Sequence, residues 1–366
     1  EVYELLDLVA VSIAADIVPI TGENRVLAYY GLQLINKNPR PGLESVLSHA
    51  NVHRVEEEPA PNSEHPQNVL NKEVTISDLV FMIGPRINAA GRLEKASDSV
   101  RLLIAERKEH AEKLASSIND LNVRRREFDN KITEEALQMI QQDERLLQAK
   151  STVIFNENWH KGVIGIVASR LTDTYYRPTI VLTRSNNLIT GSARSIKNFD
   201  IYDAIDNCSD LFEHFGGHKY AAGLSLKPEN LSEFSRRFEE YVSNNIDKEE
   251  LIPELNVDLE INFSDITPKF VRVLKQFSPF GPGNMAPVFL TKNVVDTGSS
   301  RPVGGQEKKH LKLSMTQKHD NNLILPGIAF QKGADYQRVN SKESFSICYC
   351  IEKNFWQGKT NLQLNV

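Results

Sequence analysis

Three stretches of the 366-residue sequence combine glycine with basic or hydroxyl side chains. The first runs from Phe215 to Gly223 and places Gly216 and Gly217 next to His218. Adjacent glycines reach backbone conformations that are closed to other residues, and they leave their amides open to an anion. The run predicts a site for a phosphate-sized ligand. A plain glycine turn before a strand, with a half-buried His218, is the alternative that this run alone leaves open.

The other two stretches also suit a phosphate. His160 and Gly162 lie between a predicted strand and a predicted helix, where free amides and the helix dipole favour negative charge. Ser192, Arg194 and Ser195 close another predicted strand, and a guanidinium there can bind a phosphate through two hydrogen bonds. Each feature alone is common. Three such stretches within about 60 residues predict one shared site.

Two further stretches carry polar groups in unusual surroundings. Asp16 lies in the largely apolar segment 5–20. Because burying an unpaired carboxylate is costly, Asp16 is expected to cap a helix, pair with a base or bind a metal. In the segment 84–92, Arg86 lies between Gly84 and Gly91 and Arg92 follows Gly91, which predicts a functional loop.

Hydrophobic periodicity predicts the elements that position these groups. An α/β layer is predicted from strands over 152–155, 179–182 and 188–193 that alternate with helices over 162–172, 200–208 and 231–245. After Pro253, short strands with glycine and proline turns predict an OB-like Greek-key barrel, whose first strand covers 255–261.

A helix without glycine or proline is predicted over 97–142, with Leu114, Leu121 and Phe128 recurring every seven residues. This helix is expected to join two domains, and a coiled coil is the alternative. The segment 56–67, rich in Glu, Pro and Asn, predicts an exposed loop.

Composition narrows the class of protein. A chain of 366 residues exceeds what one hydrophobic core usually serves, so two or three domains are expected. The net charge of -5 gives no global attraction to nucleic acid, so binding would need a local basic groove. Three cysteines suit a reducing cytoplasm. No apolar run approaches the ~20 residues that cross a bilayer, which argues against a membrane role.

The glycine-containing stretches together resemble a known family. The segments 159–168, 191–195 and 215–223 resemble successive motifs of the RecJ family, single-strand-specific DNA exonucleases of the DHH phosphodiesterase superfamily. The segment 15–19 resembles the last metal-binding motif of the DHH domain, and 84–92 resembles the loop that follows it. The resemblance covers almost the whole chain.

The resemblance implies an α/β fold in four parts. These are the remainder of a DHH domain (1–105), a long connecting helix (106–146), a DHH-associated substrate-binding domain (147–250) and an OB-like domain (251–366). It also implies two divalent ions, Mn²⁺ or Mg²⁺, with Asp16 as one ligand.

Further site residues follow from the same resemblance. The substrate phosphates are expected to contact Arg194, Ser192, Ser195, His218, Gly216, Gly217, His160 and Gly162. Contacts with DNA are expected from Arg86, Asn88 and Arg92. In the OB-like domain, the candidates for contact with single-stranded DNA are Phe277, Phe280, Phe330 and Lys312.

The family pattern is incomplete in this chain, which contains neither Asp-x-Asp nor Asp-His-His. We therefore expect a truncated, inactive fragment of a nuclease. The resemblance implies that the full-length protein degrades single-stranded DNA from 5′ to 3′ into mononucleotides during repair and recombination. Its expected partners are a single-strand-binding protein and a helicase. Alternatives are an oligoribonuclease, a cyclic-dinucleotide hydrolase or a non-catalytic module that binds single-stranded nucleic acid.

Overall fold

The computed structural model of the protein describes residues 2–57, 67–318, 320–356 and 359–366. The chain forms two compact units. The first unit comprises Glu1–Pro85, Leu102–Ala115 and Leu255–Val366, and the second comprises Arg86–Arg101 and Ser116–Glu254. The four-domain division is finer than these two units and stays a prediction.

The N-terminal part of the first unit is mainly helical. Its elements are α1 (Leu6–Ala15), α2 (Gly22–Lys37), α3 (Pro41–Ser48), the hairpin of β1 (Arg54–Glu57) and β2 (Gln67–Leu70), and α4 (Ile76–Asp78) followed by a π turn (Leu79–Ile83). Helices α1 and α2 cross closely at Gly31, where a Cβ atom would lie 2.2 Å from the carbonyl oxygen of Leu6. Most of the loop predicted over 56–67 lies outside the described residues.

The prediction of a loop over 84–92 was wrong. The segment forms helix α5 (Gly84–Leu93), which continues directly from the π turn. The Gly84 amide donates to the carbonyl of Leu79, five residues earlier. Pro85 follows directly in this continuous helix and, as a proline, donates no backbone hydrogen bond to the preceding turn. The glycines and the proline therefore mark a change of helix type and not a loop.

The helix predicted over 97–142 is divided into α6 (Ser97–Leu103) and α7 (Lys108–Gln142). No glycine or proline marks the break. Leu102, just before the break, and Ala105, within it, are both buried, so tertiary packing interrupts a segment whose local preference is helical throughout. The 35-residue helix α7 contributes its residues up to Ala115 to the first unit and the rest to the second. No helix among the described residues is both long and apolar enough to cross a membrane.

A five-stranded sheet forms the centre of the second unit. Its strands are β3 (Thr152–Phe155), β4 (Thr179–Ser185), β5 (Leu188–Arg194), β6 (Phe212–His218) and β7 (Ala221–Leu226), in the order β3-β4-β5-β7-β6. Strands β3 and β4 are parallel and the other pairs are antiparallel. The helices are α8 (Glu144–Gln148), α9 (Ile164–Tyr175), α10 (Ile201–Asp206) and α11 (Leu231–Asn245). The predicted α/β layer is confirmed.

Side-chain alternation gives the two faces of this sheet different roles. One face contributes Ile180, Leu182, Ala193 and Leu224 to a buried cluster with α10 and α11. The opposite face carries Val181 on β4, which packs in a second buried cluster with residues of α7 and α9. Further across that opposite face lie Ser192 and Arg194 on β5, Gly223 on β7 and Gly216 on β6.

The C-terminal part of the first unit is a closed barrel. Its strands are β8 (Leu259–Glu260), β9 (Phe289–Asp296), β10 (Arg301–Val303), β11 (His310–Gln317), β12 (Asp320–Ala329), β13 (Phe345–Trp356) and β14 (Lys359–Asn365). Five of them close a ring in the order β9-β11-β12-β14-β13-β9, and helices α12 (Pro268–Lys275) and α13 (Tyr336–Val339) lie between strands in the sequence. The OB-like barrel is confirmed, although the strand predicted over 255–261 is reduced to Leu259–Glu260.

The plain glycine turn that was left open as an alternative at Gly216 and Gly217 is not formed. Both residues lie inside β6, opposite Gly223 and Ala222 of β7, and the hairpin turns at Lys219 and Tyr220. Glycine is needed at position 217 because the backbone of β7 approaches β6 closely there. A Cβ atom there would lie 2.3 Å from the carbonyl oxygen of Ala221, whereas nothing lies within 4 Å of a Cβ atom at Gly216.

This contrast gives a prediction with a matched control. Gly217→Ala is expected to destabilise the protein by about 1–3 kcal/mol, because the backbone of β7 must move to admit the methyl group. Gly216→Ala adds the same methyl group to open space, and its free energy of unfolding is expected to stay within about 1 kcal/mol of the parent. Urea unfolding of both variants measures the difference. Equal stability of the two variants would contradict the close packing at Gly217.

Candidate phosphate-binding site

Strand pairing places a hydroxyl and a guanidinium beside a strip of bare backbone. Ser192 and Arg194 are two residues apart on β5 and therefore project from the same face of the sheet. Ser192 pairs with Gly223 of β7, which in turn pairs with Gly216 of β6. Because directly opposed residues share a face, two glycines without side chains lie beside Ser192. We call this surface of β5, β7 and β6 the polar face.

His218 lies at the end of the same face. Arg194 pairs with Ala221 of β7, and Ala221 pairs with His218 of β6, so His218 is two strands away from Arg194. At about 4.8 Å per strand, their backbones are roughly 10 Å apart. The exposed imidazole accepts a hydrogen bond at Nδ1 from the Tyr220 amide, 3.2 Å away. His218 therefore borders the polar face two strands away from Arg194.

Arg194 is a half-buried cation without a carboxylate partner among the described residues. Its Nη1 donates to the Ser192 Oγ atom at 3.0 Å and to the carbonyl oxygen of Ala193 at 2.7 Å. Burial lowers the pKa of Arg194, and the nearby charge of Arg92 lowers it further. A guanidinium stays protonated despite these two influences on its pKa. An anion bound here would therefore receive charge that the protein itself does not compensate.

Helix α9 approaches the polar face through Gly165. A Cβ atom at this position would lie 2.9 Å from Ser192 Oγ and 3.1 Å from Arg194 Nη2. A larger residue would push both groups aside. Gly165 therefore serves close packing of α9 on the sheet, and the groups it packs against are the two that could hold a phosphate.

Arg92, Gly162 and His160 join the same side of the unit. Arg92 Nη1 donates to the Gly162 carbonyl at 3.2 Å, and the Gly162 amide donates to His160 Nδ1 at 3.1 Å. A neutral His160 therefore carries its proton on Nε2. A Cβ atom at Gly162 would lie 2.2 Å from the Arg92 carbonyl oxygen. Because Gly162 is part of this turn, α9 begins at Ile164, later than the predicted 162.

Two opposing influences act on the pKa of Arg92. Its side chain reaches solvent, yet partial desolvation lowers the pKa of Arg92 and the charge of Asp129 raises it. Arg92 bonds to Gly162, and Gly165, three residues further on, packs against Ser192 and Arg194, so the start of α9 connects the two arginines. Arg92 and Arg194 are each held by hydrogen bonds to other groups of the protein. Together with Ser192 and the glycine strip they form a surface suited to a phosphate group.

Sequence reasoning missed the contribution of helix α7. Phe128, expected in a hydrophobic stripe, is partly exposed and stacks on His160 with ring centroids 5.4 Å apart. Arg125 and the exposed Arg126 add positive charge, and the buried Asp129 accepts a hydrogen bond from Arg170 of α9 at 2.7 Å. The run Arg124–Arg126 within a predicted helix was the one available signal.

The remaining predicted residues lie in different settings. Ser195 braces its own loop, because its Oγ donates to the Phe199 carbonyl at 2.7 Å. Arg86 of α5 donates to Asn119 of α7 at 3.2 Å, and desolvation and Arg126 lower its pKa. Asn88 is exposed on the same helix. The structure thus brings Arg92, Gly162, His160, Ser192 and Arg194 together more tightly than the other predicted contacts.

The structure places Asp16 in a different environment from the one expected. It follows the C-terminal end of α1, where its amide donates to the Ser12 carbonyl, and its side chain is exposed and not buried. Within the described parts of the chain, no three His, Cys, Asp or Glu side chains are grouped so that they could hold a metal ion. Asp16 alone does not supply the donors that a two-metal site requires.

The aromatic candidates belong to the barrel of the first unit. Phe277 and Phe330 each expose 54% of their surface, and Phe280 is half-buried. Lys312 is exposed on β11 opposite Arg301 of β10. Exposed rings and basic groups can contact single-stranded nucleic acid, and these residues stay predictions.

Comparison with known proteins identifies both modules. The family model of the DHHA1 domain matches residues 148–244, and that of the RecJ OB domain matches residues 257–366. The single-stranded-DNA-specific exonuclease RecJ of Bacillus subtilis is 34% identical over 367 residues, a match that covers 99% of this chain. Crystal structures of Thermus thermophilus RecJ with Mg²⁺ and with Mn²⁺ each align over 99% of this chain at 25% identity and a TM-score of 0.79.

The chain spans only part of these relatives. It covers 43% of the B. subtilis protein and 51% and 49% of the two T. thermophilus chains. The activity named for these relatives is therefore that of proteins longer than this chain.

The packing of α9 on the polar face can be tested directly. Gly165→Ala is expected to weaken the binding of inorganic phosphate by about three- to tenfold, because the added methyl group displaces the groups of Ser192 and Arg194. Gly91→Ala is a matched control, since a Cβ atom there meets Ala96 at an ordinary 3.4 Å. Titration followed by ³¹P NMR measures both affinities. Unchanged affinity in Gly165→Ala would show that phosphate binds elsewhere.

Proposed function

Since this chain belongs to the RecJ family, we propose that its DHHA1 domain binds the phosphates of single-stranded DNA for a metal-dependent exonuclease. The observation that carries this proposal is the convergence of Arg92, Ser192 and Arg194 beside the bare glycine strip of the polar face. The cluster contains hydrogen-bond donors and uncompensated positive charge, and both favour phosphate. Gly162, Gly165 and His160 hold the cluster in shape.

The proposal extends to the barrel of the first unit. The RecJ OB domain presents exposed aromatic and basic side chains, which suit a single strand because every base has a face that can stack. In the full-length protein we propose degradation of single-stranded DNA from 5′ to 3′ into mononucleotides, in repair and recombination, with a single-strand-binding protein and a helicase as partners. This direction and these partners rest on the family resemblance.

We propose that the full-length protein is the one that binds divalent metal ions. The T. thermophilus relative was crystallised with Mg²⁺ and with Mn²⁺, and either ion would supply Lewis-acid chemistry at a phosphodiester. The donor set of the described residues does not fit two such ions, and Asp16 would contribute a single ligand. We therefore propose that this chain binds DNA and does not cleave it.

Two other functions are less well supported. Another DHH phosphodiesterase, such as an oligoribonuclease or a cyclic-dinucleotide hydrolase, would not explain the match to the RecJ OB domain over residues 257–366. A module that only binds single-stranded nucleic acid remains compatible with this chain taken alone. Cleavage by the full-length protein separates that module from an exonuclease.

The phosphate contact of Arg194 predicts a specific change in salt dependence. Arg194→Ala is expected to weaken binding of a labelled single-stranded oligonucleotide about tenfold or more and to reduce the slope of log K against log salt by about 1. Arg236→Ala removes the same charge from α11, where Arg236 already pairs with Glu233 and Glu240, and should bind like the parent. Fluorescence anisotropy at several salt concentrations gives both quantities. Equal affinity of Arg194→Ala and the parent would refute the proposed contact.

Cleavage gives an independent test. The purified 366-residue chain with Mn²⁺ is expected to leave a labelled single strand intact, since the described residues lack a metal-holding cluster. The full-length protein should shorten the same strand under identical conditions, and chelation of the metal should stop it. Gel electrophoresis of the products follows both reactions. Manganese-dependent degradation by the chain alone would contradict the proposal that it only binds.

A further inference from the structure

A single buried carboxylate lies within the basic cluster of the second unit. The side chain of Asp129 on α7 is 1% exposed. Its Oδ2 atom accepts a hydrogen bond from Arg170 Nη2 at 2.7 Å and lies 3.8 Å from Arg125 Nη1. Its Oδ1 atom is buried without a hydrogen-bond partner. Such a carboxylate is costly to bury, so its position among arginines calls for a physical reason.

Arg125 depends on this carboxylate. Only 11% of its side chain is exposed, and its Nε atom is buried without a hydrogen-bond partner. Its Nη2 atom donates to Asn122 Oδ1 at 2.7 Å, which fixes the guanidinium without neutralising it. Burial lowers the pKa of Arg125, and the charge of Asp129 is the influence that opposes this most strongly.

The surrounding charges are unbalanced. Three other arginines, Arg92, Arg126 and Arg170, act on Arg125 through repulsion. Phe128, the neighbour of Asp129, stacks on His160, and His160 accepts from the amide of Gly162, whose carbonyl accepts from Arg92. The charge of Asp129 also raises the pKa of Arg92, against the effect of desolvation. Without a carboxylate between them, arginines of like charge would separate and turn towards water.

We propose that Asp129 is a positioning residue, which holds Arg125 and Arg170 in place and thereby keeps Arg92 ready to bind a phosphate. Asp129 does not touch the DNA, because its carboxylate is almost fully buried beneath the arginines. This inference rests on the proposed function of the cluster in phosphate binding. Asp129 thus supports the binding of phosphate although its own charge, like that of phosphate, is negative.

The sign of the effect separates positioning from simple attraction. Asp129→Asn removes a negative charge near an anion site, so electrostatic attraction alone predicts tighter binding of DNA. The positioning role predicts weaker binding, because Arg125 and Arg170 lose the group that orders them. The two explanations thus give opposite results for one variant.

The experiment measures binding of a 5′-phosphorylated, labelled single strand to the 366-residue chain. Asp129→Asn is expected to bind about tenfold more weakly, because a displacement of about 1 Å is enough to impair a bound geometry. Asp120→Asn makes the same change at an exposed position of α7 and should not weaken binding. If folded Asp129→Asn binds as tightly as the parent or more tightly, the inference is wrong.

A second pair of measurements shows whether Asp129 acts through the arginines. In a chain that already carries Arg92→Ala, Asp129→Asn should add less than about threefold to the loss, because the two changes remove one arrangement. Full additivity would contradict the inference. If Asp129→Asn does not fold, Asp129→Glu keeps the charge and shifts it by one methylene. A loss of about three- to tenfold is then expected, and parental affinity would overturn the inference.

These outcomes are separable from a failure of the proposed function. If the parent chain binds no single-stranded DNA, or if Arg194→Ala leaves its binding unchanged, the phosphate-binding role itself is wrong. If Arg194→Ala weakens binding but Asp129→Asn does not, the phosphate site stands and only the role of Asp129 is refuted.

Discussion

Positive charge concentrated on a protein surface has to be held in place without being neutralised. In the second unit this constraint acts on Arg92, Arg125, Arg170 and Arg194, whose mutual repulsion would otherwise turn the side chains outward. Hydrogen bonds to Gly162, Ala193 and Ser192 fix the directions of two guanidinium groups. None of these acceptors carries a full charge, so the guanidinium groups remain available to an anion.

The same constraint explains the glycines. An arginine cluster can meet a phosphate only if nothing larger than backbone fills the space beside it, and Gly223 and Gly216 leave that space on the polar face. Gly162 and Gly165 let the start of α9 approach the cluster from the other side. Helix α7 supplies the negative counter-charge through Asp129. Strands β5, β6 and β7 and helices α5, α7 and α9 therefore contribute to one basic surface.

Much of this architecture could be predicted from the sequence. Strands β3, β4 and β5 begin at the predicted residues, and helix α11 begins and ends where its periodicity indicates. The predictions failed where a local signal had two meanings. Gly216 and Gly217 left a turn open as an alternative but serve strand pairing, and the glycines around Arg86 indicated a loop but accompany a π turn.

The contribution of α7 could not be predicted because it depends on tertiary contacts. Asp129 and Arg170 are 41 residues apart, and no local pattern shows that they meet. Phe128 fits a heptad stripe, yet it stacks on His160, which accepts a hydrogen bond from the Gly162 amide. Arg92, by contrast, was identified from a motif, although the helix that presents it was expected to be a loop.

The central claim is that Arg92, Ser192 and Arg194 together bind a phosphate of single-stranded DNA. A crystal structure of the chain with a short phosphorylated oligonucleotide tests this most directly. The account predicts a phosphate within hydrogen-bond distance of both guanidinium groups and of Ser192 Oγ, above the strip formed by Gly223 and Gly216. An oligonucleotide bound with all its phosphates away from Arg92 and Arg194 would contradict it.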